Sequence, residues 1–234
     1  MIGQRMMMAA AGLVGRTSSP SITHLSGGIA STIAANTAVT KTVSVTAGTM
    51  LLVALAQEST TASSNPAITS VTATGLTFTR LGSIIGPGNG GLADAQSLEI
   101  WGAAITATNS ALSVSWEYNT AIDDATYSFE QVSNYGAVSF ADTYTAIDTQ
   151  SITFSAPDFS LAVGFAGCPY STAPGALTGF AFLASQDNAG ATYWEYSTTS
   201  ALTVGASAIT NSSVSQAATA SDYPLIMVGI ILGT

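Results

Sequence analysis

Apolar and polar residues alternate with period two over much of the chain, and no stretch sustains the 3.6-residue period of a helix. In 42–47, Val43 and Val45 alternate with Thr42, Ser44 and Thr46, as in a half-buried strand. Gly48 marks a turn. The run 50–56 that follows is apolar at every position, which predicts a strand buried on both faces in the middle of a sandwich. Further strands are predicted over 68–72, 77–81, 98–105, 112–118, 126–132, 151–154, 161–167, 180–184, 191–196, 201–203 and 225–232. These segments are rich in the β-branched and aromatic residues that suit a pleated, half-buried surface. Pro224 and the Val/Ile content of 225–232 favour a central closing strand there over a helix. Abundant Ser and Thr compete with helical hydrogen bonding, and opposite charges four residues apart are nearly absent. Short strands separated by Gly, Asn, Pro and Ser turns indicate an all-β sandwich or barrel, and the expected fold is a single jelly-roll-like antiparallel β-sandwich over 41–234.

Residues 1–40 read differently. Gly12, Gly15, Pro20, Gly27 and Gly28 punctuate them and neither period is sustained, so an extended N-terminal arm is expected. Its first part, a basic start and an apolar run over 6–15, has the look of a secretory leader. Arg16 stands where a small-residue cleavage site would be expected, which favours a retained arm. The apolar run is also shorter than the roughly 20 residues a bilayer span needs. The Gly-rich stretch 84–95 is expected to be a loop. It lacks the Lys and the following helix of a phosphate-binding turn. No repeat of 20–50 residues is visible, against a propeller or solenoid.

Composition narrows the partners. Charged residues make up 7% of the chain, against about 25% in an ordinary soluble domain. A surface of Ser, Thr, Ala and Gly avoids the cost of burying Lys and Glu, as the cores of subunit interfaces do; an extracellular domain with a Thr/Ser-rich skin has the same composition. The only basic residues are Arg5, Arg16, Lys41 and Arg80, while twelve of the thirteen carboxylates follow Arg80. Such a body repels phosphate, so no direct nucleic-acid partner is expected. The basic N-terminal side offers Arg5, Arg16 and Lys41 as contacts for an acidic neighbouring protein. Cys168 is the only cysteine, so no internal disulfide can form.

Few groups invite chemistry. His24, the only histidine, has no nucleophile elbow near it, and Cys168 lacks the electropositive setting of a reactive thiol. One His and one Cys do not make a zinc site. Asp123–Asp124 and Asp187–Asn188, read as loop residues, offer oxygen ligands without a calcium-loop spacing. No catalytic residue, metal or cofactor is therefore expected. A glycoside hydrolase would need two facing carboxylates, and Glu99, Glu117, Glu130 and Glu195 all fall in predicted strands. Tyr193, Trp194 and Tyr196 form an aromatic group able to stack on a glycan, although in a sandwich such residues more often pack in the core or an interface.

The succession Val45-Thr46-Ala47-Gly48-Thr49-Met50-Leu51-Leu52-Val53-Ala54, then Ile68-Thr69-Ser70-Val71-Thr72 with Leu76-Thr77-Phe78-Thr79-Arg80, then Leu98-Glu99-Ile100-Trp101-Gly102-Ala103 resembles a β-sandwich module of tailed-bacteriophage virion proteins and some bacterial surface proteins. The likeness covers about 43–136, with a weaker echo beyond. It departs from the module's pattern at Thr49, where an acidic residue is usual, and over 130–136. The resemblance implies a virion structural protein, a capsid decoration (cement) or other exterior subunit assembled in the host cytoplasm. It would contact a major capsid or tail protein, would form a homo-oligomer such as a trimer, and would have no membrane partner. The alternatives are a glycan- or host-binding tail or adhesin module and, less favoured, a glycoside hydrolase.

Overall fold

The computed structural model describes residues 19–59, 66–87, 95–147, 150–168, 178–187, 196–204, 209–216 and 224–233. Every regular element among them is a β-strand. Sheet I orders β1 (Ser21–Ile33), β9 (Ile122–Ser133), β3 (Met50–Ser59), β7 (Ala95–Ala104) and β6 (Thr79–Pro87). Sheet II orders β2 (Ala38–Val45), β8 (Asn109–Tyr118), β4 (Ile68–Ala73) and β5 (Leu76–Thr77). Sheet III orders β10 (Val138–Ile147), β16 (Pro224–Leu232), β12 (Leu161–Cys168), β14 (Tyr196–Thr203) and β13 (Ala181–Asp187). Sheet IV pairs β11 (Gln150–Ala156) with β15 (Ile209–Gln216) and lies beside β10, β16 and β12. All these pairings are antiparallel.

The all-β sandwich is present, with more layers than a simple two-sheet one. Sheet I is covered on both faces, and β3 shows how. Successive side chains of a strand point to opposite faces. Leu51, Val53 and Leu55 enter one core with Val43, Val45, Leu112, Val114, Trp116 and Tyr118 of sheet II. Met50, Leu52, Ala54 and Ala56 enter a second core with Leu161, Val163, Phe165, Val228, Ile230 and Leu232 of sheet III. All ten positions of β3 are buried, and its first seven read as an unbroken apolar run.

The arm expected over 1–40 is corrected where it is described. Residues 21–33 are strand β1, paired along β9. The alternation is hidden by a bulge between His24 and Ser26, an extra residue that reverses which parity faces which side. Ile22 thus packs in the sheet I/III core and Ala30 against the I/II core. Gly28 is a packing residue, since a Cβ there would lie 2.9 Å from the Tyr127 hydroxyl. The loop expected over 84–95 is shorter too. Strand β6 runs to Pro87, paired with Ala95 at the start of β7, and Pro is tolerated on an edge strand. Strands β10 and β15 add to those predicted. Residues 191–195 lie outside the described residues.

Candidate functional site

Among the described residues, charged and aromatic side chains gather at three places, each centred on a basic or titratable residue. In the first, β7 turns Glu99 and Trp101 toward sheet II, because Glu99 pairs with Leu55 and Trp101 with Val53. Glu99 is 2% exposed. Its Oε1 accepts from the backbone N–H of Ile68 at 2.7 Å, and its Oε2 accepts from Trp101 Nε1 at 3.1 Å and Arg80 Nη1 at 3.5 Å. The half-exposed guanidinium of Arg80 lies 5.9 Å from the Trp101 ring centroid. Burial pushes the Glu99 carboxyl above its ordinary value, and the Ile68 N–H, Arg80 and Trp101 pull it back. Both oxygens are engaged, so this carboxylate ties β4, β6 and β7 together.

In the second, Glu130 of β9 faces sheet III, as its cross-strand partner Leu52 does. Its Oε1 accepts from Ser128 Oγ and lies 3.0 Å from His24 Nδ1. Its Oε2 is buried without a hydrogen-bond partner among the described residues. The bond to Glu130 raises the His24 pKa above its usual range, against desolvation, with the charge of Glu130 adding to the rise. Ser128 Oγ approaches the same ring nitrogen, at 3.5 Å. A nucleophilic serine needs the nitrogen opposite the carboxylate, so this trio lacks a triad's order.

The third lies between sheets I and II. Lys41 Nζ sits 5.2 Å from the Tyr127 ring centroid, a cation–π contact. Tyr127 packs with Trp116 and Phe129, with ring centroids 5.5 Å apart for Trp116–Tyr127 and Tyr127–Phe129. Trp116 Nε1 donates to the Tyr118 hydroxyl at 2.8 Å, which gives the buried indole its polar partner. Burial pushes the Tyr118 phenol far above its ordinary value, against the Trp116 bond.

Of the expected partner contacts, Lys41 is thus engaged within its own chain, while Arg5 and Arg16 lie outside the described residues. Tyr193 and Trp194 lie outside them as well. Tyr196 opens β14, paired with Cys168 and Asp187. Asp123 and Asp124, read as loop residues, are instead part of β9, and burial raises the Asp123 carboxyl. Among the described residues no three His, Cys, Asp or Glu side chains are grouped to hold a metal. Glu99 faces sheet II, Glu130 faces sheet III, and Glu117 sits on the outer parity of β8, opposite to the buried Trp116 and Tyr118. These three do not share a cleft, and Glu195 lies outside the described residues. No described helix is long and apolar enough to cross a membrane. Comparison with known protein families, curated proteins and solved structures finds no match to this chain.

Proposed function

We propose that this chain is a structural subunit of a tailed-phage virion, a capsid decoration or other exterior protein acting through protein–protein contacts. The observation that carries this reading is the outer face of sheet II. Thr40, Thr42, Ser44, Ser113 and Ser115 are turned outward there, and Thr40 Oγ1 and Ser115 Oγ bond each other across the strands at 2.7 Å. Short hydroxyls already tied to one another lose little rotamer freedom when covered, unlike Lys or Glu. With Lys41 engaged internally, the proposed contact is this face, and a symmetric homo-oligomer such as a trimer is its simplest product.

The strand order supports the jelly-roll part of the reading. The first four strands of the five-stranded sheet I, β1-β9-β3-β7, face the four of sheet II, β2-β8-β4-β5, and the chain crosses repeatedly between them, as in the jelly rolls that recur in viral capsids and also in lectins. Fold alone does not assign function, so the test is direct. Mass spectrometry of particles purified from the source that encodes the chain should find it in stoichiometric amount. A full set of particle proteins without it would overturn the proposal.

A further inference from the structure

Strands β1–β9 and β10–β16 follow one plan. Replacing β1, β9, β3, β7 and β6 by β10, β16, β12, β14 and β13 turns the order of sheet I into that of sheet III, and the β2–β8 pairing becomes β11–β15. The match extends to the irregularities. The bulge at His24/Ser26, opposite Glu130 and Phe129, recurs at Phe140/Asp142, opposite Ile230 and Gly229. That at Val43/Val45, opposite Leu112 and Asn109, recurs at Phe154/Ala156, opposite Ser212 and Ile209. That at Arg80/Gly82, opposite Trp101 and Ile100, recurs at Phe182/Ala184, opposite Ser200 and Thr199.

The entry into β3 recurs as well. Gly48 has φ 79°, Thr49 Oγ1 donates to Thr46 O at 2.6 Å, and Ile105 N donates to Thr49 O at 2.8 Å. Before β12, Phe159 has φ 54°, Ser160 Oγ donates to Pro157 O at 2.6 Å, and Val204 N donates to Ser160 O at 2.8 Å. A bulge can fall at many places in a sheet. Three at corresponding places, joined by one shared turn, mark a repeated module.

The modules also meet symmetrically. Strand β1 lies against β13 and β6 against β10, while β9 lies against β14 and β7 against β16. Exchanging each strand for its counterpart maps the first contact onto the second and the third onto the fourth, the signature of an isologous, two-fold interface. Its centre is apolar, with Met50, Leu52, Ala54 and Val132 answered by Leu161, Val163, Phe165 and Leu232, all in one core.

We propose that the inner faces of sheets I and III form a self-complementary association surface whose partner is a second copy of the module, and that two chains pair through it by exchanging modules. The hinge is the link 134–137 between β9 and β10, where Asn134 has φ 54° and Gly136 and Ala137 bond Gly233. A two-fold interface is satisfied by a module from either chain, and exchange changes only this short link. The inference is independent of the virion reading, which rests on the outer face of sheet II.

The test is complementation between full-length chains. Leu52→Glu disables the surface of the first module and Val163→Glu that of the second, so each variant alone should lose soluble, folded protein. Co-expressed with different tags, they should restore it as a 1:1 complex by native mass spectrometry, joined through the two intact modules. A second variant, with Tyr135 and Gly136 deleted, should favour pairing between chains and run as a folded dimer or larger assembly, with no folded monomer. Rescue, or a folded deletion variant of that kind, supports the proposal. Failure of both, or single variants that fold as well as the parent, overturns it.

Discussion

The first module, β1–β9, and the second, β10–β16, share a backbone and differ in what fills it. Leu51, Val53 and Leu55 of β3 have Ala162, Gly164 and Ala166 as counterparts on β12. His24 and Glu130 are answered by Phe140 and Ile230, and Arg80 and Trp101 by Phe182 and Ser200. The shared features are backbone hydrogen bonds, bulges and a left-handed turn residue; the differing ones are side-chain volume and charge. Pairing geometry therefore sets this frame, and each module solves its own packing inside it. Among the described residues, buried carboxylates tie strands together in the first module, at Glu99 and Glu130.

Exchanging the fill would break the comparison most sharply. Leu51 is fully buried, so Leu51→Ala, which installs the second module's residue, should cost about 2–5 kcal/mol in denaturant unfolding. The reverse change, Ala162→Leu at an equally buried position, should cost about 1–3 kcal/mol by overpacking. If either change is neutral, the two interiors are not separately fitted.

Gly82 and its counterpart Ala184 come next. A Cβ at Gly82 would lie 2.6 Å from Val228 Cγ1 and 3.3 Å from the Phe140 ring, whereas Ala184 carries its methyl in the same place. Gly82→Ala should therefore destabilise by about 1–3 kcal/mol. Its effect should shrink in a Phe140→His background only if Phe140, rather than Val228, sets the clash. A double-mutant cycle by thermal unfolding separates the two.

These particulars also explain what the sequence could tell. The runs of β3, β12 and β16 are legible because a strand covered on both faces has no polar parity, and β8 is legible because one face is wet. Strands β1 and β10 are not, since each carries a bulge that reverses its alternation midway, and Gly27–Gly28 imitates a turn where it makes room for Tyr127. The Glu99–Trp101 contact follows from two-residue spacing. The His24–Glu130 pair, 106 residues apart, depends on a register that only pairing reveals. The repeat itself escapes notice because Thr46-Ala47-Gly48-Thr49 and Pro157-Asp158-Phe159-Ser160 share little beyond a hydroxyl residue before an apolar run.

The smallest effect, a pH dependence, tests the His24–Glu130 pair. Glu130→Ile removes the acceptor of both His24 Nδ1 and Ser128 Oγ and should cost about 1–3 kcal/mol. Adding His24→Phe completes the second module's apolar pair and should recover much of that loss, since well-packed apolar groups often replace a buried ion pair without penalty. The pH profile distinguishes this from simple repacking. The folded-state pKa of His24 stands above its ordinary 6.5, so the folded chain holds the proton more tightly than the unfolded one. That stabilisation is complete below about 6.5 and is lost as the pH rises through the folded-state value. The parent should thus lose a little stability between neutral and mildly alkaline pH, followed by urea unfolding, and the double variant should lose none of it there. An unchanged slope in the double variant would mean that the charge of this pair does not distinguish the two modules.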